Sequence, residues 1–128
     1  MSAKTILKSY NVVPSVAGNM ASNLTSSPTN VQMIDDAGYS LAWTGSPTGT
    51  FNFQVSADYN PGANPTDYPA NPGTWTTVTL STPIIASGSA DNAYVDMTLI
   101  SAPWIRVQYV ATSGTGALSV WVTGKSVS

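Results

Sequence analysis

Apolar and polar residues alternate one for one along three stretches of the chain, the period at which successive side chains point to opposite faces of a β-strand. In residues 50–57, Phe51, Phe53 and Val55 fall on one face and Asn52, Gln54 and Ser56 on the other. In residues 104–112, Ile105, Val107 and Tyr109 share a face opposite Trp104, Arg106 and Gln108. In residues 117–123, Leu118, Val120 and Val122 oppose Ser119, Trp121 and Thr123. Weaker runs of the same kind are residues 5–13, 21–26, 31–35, 39–43, 74–80 and 94–99. Gly and Pro recur every few residues, and no helical period survives them. The sum is eight or nine short strands in a single domain spanning residues 1–128. That number of strands in a chain this long predicts an all-β fold of two packed antiparallel sheets, a β-sandwich.

The links between these runs predict how they pair. Ser113-Gly114-Thr115-Gly116 places two glycines between two clear strands and reads as a tight hairpin. Residues 44–49, with Gly45, Pro47 and Gly49, read as a second hairpin. Residues 58–73 carry Pro61, Pro65, Pro69 and Pro72 and form a long loop, of a length that often serves function. Residues 125–128 read as a short tail, and residues 1–9 as a possible N-terminal arm.

Charge is scarce. Only 8% of the 128 residues are charged, against about 25% in an ordinary domain. The bases are Lys4, Lys8, Arg106 and Lys125; the acids are Asp35, Asp36, Asp58, Asp67, Asp91 and Asp96, for a net charge of −2. A surface built from Ser, Thr, Asn and Gln suits a protein covered by neighbours, and a homo-oligomer, dimer or trimer, is expected. No basic stripe exists to bind nucleic acid. No apolar run is long enough to span a membrane or to act as a secretory signal, so synthesis in the cytoplasm without a signal peptide is expected.

Candidate chemistry is sparse for the same reason. With no His and no Cys, the common acid–base and nucleophile pairs and the N/S-ligated zinc sites cannot be built. Asp35 and Asp36 are neighbours and point to opposite faces of a strand, so they cannot act on one bond. The Asp residues do not follow the D-x-D-x-D-G spacing of a calcium loop and are read as turn caps. No catalytic residue, cofactor or metal is assigned, and the chain is read as non-enzymatic. The sequon Asn23-Leu24-Thr25 would not meet the glycosylation machinery in a chain without a signal peptide.

What remains is aromatic and cationic. Trp43, Trp75, Trp104, Trp121 and six Tyr could fill the core, seal an interface or stack on sugars. Trp121 points away from Leu118, Val120 and Val122, so it faces outward or into a neighbour. Tyr59 and Tyr68 sit in the Pro-rich loop, either as contact residues or packed down on the sheet edge. Arg106, the one Arg, lies mid-strand and is expected to form a structural ion pair with Asp58, Asp91 or Asp96.

Several of these features form a recognisable series. Residues 39–56 carry Trp43, Gly45, Pro47, Gly49, Phe51 and Phe53; Gly73-Thr74-Trp75 precedes Val78-Thr79-Leu80; Ala102-Pro103-Trp104-Ile105-Arg106-Val107-Gln108-Tyr109 leads into Ser113-Gly114-Thr115-Gly116-Ala117-Leu118. Over residues 30–125 this order resembles the small β-sandwich virion proteins of tailed bacteriophages and prophages, of the capsid decoration type. The resemblance implies a jelly-roll-like sandwich located in the virion, partnered by capsid or tail proteins. It implies a capsid decoration or cement role, with a tail or fibre adhesin that binds host glycans as the alternative. Contact residues would then come from the N-terminal segment (Lys4, Lys8, Tyr10), the long loop (Tyr59, Tyr68) and Trp121.

Overall fold

Strands form where the alternation is strongest, and their inward residues define the core. The computed structural model describes residues 5–13, 18–31, 36–62, 71–80, 82–97 and 102–127. Its strands are β1 (Thr5–Val13), β2 (Leu24–Thr25), β3 (Thr29–Asn30), β4 (Asp36–Trp43), β5 (Thr48–Ser56), β6 (Thr76–Val78), β7 (Ile85–Ser87), β8 (Asp91–Met97), β9 (Trp104–Ser113) and β10 (Leu118–Val127). One sheet has the order β1-β10-β4-β8; the other has β2-β9-β5-β6, with β3 also on β9 and β7 also on β5. Every pairing is antiparallel. The all-β sandwich is therefore present, and the chain changes sheet at six of its nine links. This interleaved order is that of a double Greek key, the jelly roll.

That order corrects both expected hairpins. β4 and β5 lie in different sheets, as do β9 and β10, so residues 44–47 and 114–117 are crossings between sheets. The two crossings stack on each other: Ser46 N donates to Thr115 O at 2.9 Å and Thr44 N to Ala117 O at 3.0 Å. The glycines serve this contact. A Cβ on Gly116 would land on the carbonyl oxygen of Thr44, and one on Gly114 on that of Ser46. Gly114 also has a φ of 80°, a backbone region that side chains disfavour.

The ends of the chain are corrected as well. Residues 125–127 continue β10, so they are not a tail. β1 pairs with this strand from Thr5↔Val127 to Val13↔Val120. Residues 5–9 of the expected arm are thus a hydrogen-bonded strand of the first sheet, while Lys4 lies outside the described residues. The runs 21–26 and 74–80 shorten to β2 and β6, and β3 and β7 were not expected. Of the run 31–35, Val31 is buried without joining a strand and the remainder lies outside the described residues.

The inward faces meet in one apolar layer. Tyr39, Leu41, Trp43, Leu118, Val120 and Val122 from the first sheet oppose Phe51, Phe53, Ile105, Val107 and Tyr109 from the second, all buried. Their rings interlock, with centroids 5.8 Å apart for Tyr39–Phe53, 5.2 Å for Trp43–Phe51 and 4.9 Å for Phe51–Tyr109. Each such side chain contributes roughly 1.5–3 kcal/mol by leaving water. Trp43 satisfies its indole by donating from Nε1 to Ser89 O at 3.0 Å. By contrast, the phenol oxygen of Tyr109 is buried without a hydrogen bond among the described residues, while that of Tyr39 lies within reach of the Ser26 and Thr29 hydroxyls.

Candidate functional site

With the core taking one side of each strand, function falls to the two outward faces. On the second sheet, register sets the outward residues in rows. Gln54 lies opposite Arg106 and next to Thr77; Asn52 lies opposite Gln108, which neighbours Thr25; Ser56 lies opposite Trp104. Rows on one face are about 7 Å apart along a strand and about 5 Å across.

The described ends of the long loop, residues 58–62 and 71–73, fold onto one end of this face. Ser56, at the end of β5, donates from Oγ to Asp58 Oδ1 at 3.0 Å and accepts from the Tyr59 amide at 3.1 Å, turning the chain back. Asp58 then clasps the returning strand of the loop. Its Oδ1 accepts from Thr74 N at 2.6 Å and its Oδ2 from Thr74 Oγ1 at 3.1 Å. These bonds, the Thr74 amide first, hold its carboxyl below the ordinary aspartate value. Asn60 and Asn71 close the loop with reciprocal backbone bonds of 2.9 and 2.8 Å. Gly73, at φ 85°, passes over Ser56 and Tyr59 where a Cβ would come within 2.9 Å of both.

The clasp sets three aromatic rings side by side. Tyr59 meets Trp104 edge-on at 4.8 Å and Trp75 at 5.6 Å. Trp75 is fixed by its Nε1 bond to Pro72 O at 2.9 Å. The Arg106 guanidinium lies 4.2 Å over the Trp75 ring, a cation–π contact. Arg106 Nε donates to Gln54 Oε1 at 2.8 Å, and Gln54 Nε2 donates weakly to Thr77 at 3.4 Å. The expected ion pair with Asp58, Asp91 or Asp96 is replaced, among the described residues, by an amide and an indole. The physical reason is register: β5 runs directly beside β9 and brings Gln54 opposite Arg106, while Asp58 is engaged by Thr74. Partial burial lowers the Arg106 pKa somewhat from a very high ordinary value, so the side chain stays charged.

The outward face of the first sheet has a different character. Asn11, Trp121, Ser40 and Tyr94 form one row across β1, β10, β4 and β8. Trp121 is 45% exposed and Tyr94 59%. They stand two strand spacings apart, roughly 10 Å, above a low floor of Ser40, Ala42, Gly38 and Ser119. Tyr94 leans across Gly38, whose missing side chain leaves room for the phenol. Burial and the charges of Asp96 and Asp36 raise the Tyr94 pKa, so it is neutral at physiological pH.

The structure therefore places Trp121 outward, as its alternation implied, and adds Tyr94 beside it. Tyr59 packs onto the sheet rather than projecting. Lys8 and Tyr10 lie on β1, and Tyr68 and Lys4 lie outside the described residues. Gln54 and Tyr94 were not singled out by sequence. The signal for Tyr94 was its alternation with Val95 and Met97; for Gln54 it was the alternation that already set it outward. No group of three or more potential metal ligands occurs among the described residues.

No protein-family model matches the chain, and no curated protein matches it. Among solved structures, the crystal structure of the SPBc2 prophage-derived protein YomS is similar at a TM-score of 0.51 and 11% identity, covering 94% of this chain and 95% of that one. A crystal structure of FLHE covers 98% of each chain at 9% identity and a TM-score of 0.39. The first likeness establishes a shared all-β fold with a protein of prophage origin.

Proposed function

We propose that this chain is a non-enzymatic structural protein of a tailed-phage virion, seated on the head as a decoration protein through the outward face of its first sheet. The observation that carries the reading is the row of Trp121, Ser40 and Tyr94. Two large exposed aromatics flank a flat floor of small residues on one sheet, with the carboxylates of Asp96 and Asp36 along the Tyr94 edge, and such a patch suits burial against a partner. The shared fold with a prophage-derived protein supports a phage setting. The scarcity of charge supports a surface meant to be covered. A decoration protein needs no reactive group, since binding at many equivalent sites stabilises a shell by mass action.

Immunogold electron microscopy of particles carrying the encoded protein tests this. Dense, regular label over the head is expected. Label confined to the tail tip would replace decoration with a tail or fibre role, and absence of label from all particles would remove the virion reading.

A further inference from the structure

The outward face of the second sheet plays no part in that seating, and its composition points to a ligand. We propose that it is a binding site for an acidic saccharide, a sugar bearing a carboxylate, with Arg106 as the anion anchor.

Arg106 is the sole Arg of the chain. Its contacts among the described residues are the Nε bond to Gln54 and the stack on Trp75. Among the described residues, neither contact engages the two Nη groups. The stack and the Gln54 bond also fix the plane of the guanidinium, so its outer edge is a preorganised fork. A carboxylate is the group that fits such a fork, taking two parallel N–H···O bonds. Among the described residues no carboxylate pairs with this half-buried cation, whose charge is met only by an amide and an indole.

The surroundings select a sugar around that carboxylate. Gln54, Asn52, Gln108, Thr77 and Thr25 stand in adjoining rows on the same face. Each offers both donor and acceptor, as ring hydroxyls require. The two rows span roughly 14 Å across the strands and about 7 Å along them, enough for two pyranose rings end to end. Half-buried Trp75 and Trp104 border it and supply apolar surface for the C–H face of a sugar. Nucleic acid fits poorly, because Arg106 alone among these rows, in a chain of net charge −2, cannot follow a phosphate backbone. A peptide carboxylate would use the fork but leave the polar rows unmatched.

Saturation-transfer NMR and calorimetry on the full chain test the site with four probes: a glucuronate-containing disaccharide, its methyl ester, cellobiose, and a short peptide with a free C-terminal carboxylate. The acidic disaccharide is expected to bind, with affinity falling as salt rises. The ester and cellobiose should bind at least roughly tenfold more weakly, the loss of a charge-assisted pair. Arg106→Gln should abolish that preference while far-ultraviolet circular dichroism stays unchanged. Gln108→Ala, which touches neither Trp75 nor Tyr59 in a ring contact, should weaken every saccharide alike and keeps the test open should Arg106→Gln disturb the fold. Equal binding of acid and ester, absence of saccharide binding at millimolar concentration, or binding of the peptide alone would each overturn the proposal. Each of these results leaves the location of the protein in a particle untouched.

Discussion

The stacking of the two sheet crossings makes a quantitative prediction about three glycines. Gly88 has a φ of 94° but open space, with Thr48 Oγ1 at 3.7 Å from a built Cβ. Alanine there meets only the backbone penalty, about 1–2 kcal/mol. Gly116 has an ordinary φ but its Cβ would strike the Thr44 carbonyl, with Pro47 carbons 3.1 and 3.2 Å away. Alanine there must push one crossing off the other, an overpacking cost of about 1–3 kcal/mol. Gly114 combines both, a φ of 80° and a collision with the Ser46 carbonyl, so Gly114→Ala should cost about 2–5 kcal/mol, more than either alone. Urea denaturation of the three variants, with unchanged m-values as the check on two-state behaviour, gives these numbers directly. Were residues 113–116 an exposed hairpin turn, Gly116→Ala would be near neutral and Gly114→Ala would match Gly88→Ala. Either result would refute the crossing geometry.

Other perturbations separate stability from surface function. Tyr109→Phe removes a buried phenol oxygen that has no hydrogen bond; it should be neutral or stabilising by up to about 1 kcal/mol, read as a shift in urea midpoint. Asp58 has a folded pKa below its unfolded value, so its contribution is complete above the ordinary aspartate range and is lost as pH falls through the lowered folded value. Acid titration of tryptophan fluorescence should therefore report opening of the loop clasp only at strongly acidic pH, and Asp58→Asn should remove that step. The double variant Trp121→Ala, Tyr94→Ala should change the urea midpoint little, since both rings are exposed, yet should abolish binding to purified particles in a co-sedimentation assay.

The division of each strand into an inward and an outward side was legible in the sequence. Phe51, Phe53, Ile105, Val107, Leu118, Val120 and Val122 are all buried where alternation set them, because a period of two leaves a strand only one way to hide its apolar residues. Sheet membership was not legible. A four-residue link rich in Gly suits a hairpin and a sheet crossing equally, and the choice depends on which distant strand lies alongside. The partner of Arg106 was hidden for the same reason. Its outward direction follows from its neighbours, but Gln54 reaches it only through the β5–β9 register across 52 residues of sequence. Tyr59 depended on a clasp between Asp58 and Thr74, a contact no local pattern announces.

Because both sheets spend one side on the same core, their outer sides can differ without competing for stability. The first presents exposed rings over small residues, chemistry that gains by excluding water against a large partner. The second presents amides, hydroxyls and one oriented guanidinium beside fixed indoles, chemistry that gains by replacing water with a small polar ligand. The rigid clasp at Asp58 and the stack on Trp75 belong to the second face, where a ligand of few atoms can bind well only if the protein groups are already held in place. On the proposed seating, Trp121 and Tyr94 need no such clasp, since a protein partner would cover them over a wide area. A jelly roll seated by one sheet would leave the other facing the medium, so the two proposals are geometrically compatible while each can fail alone.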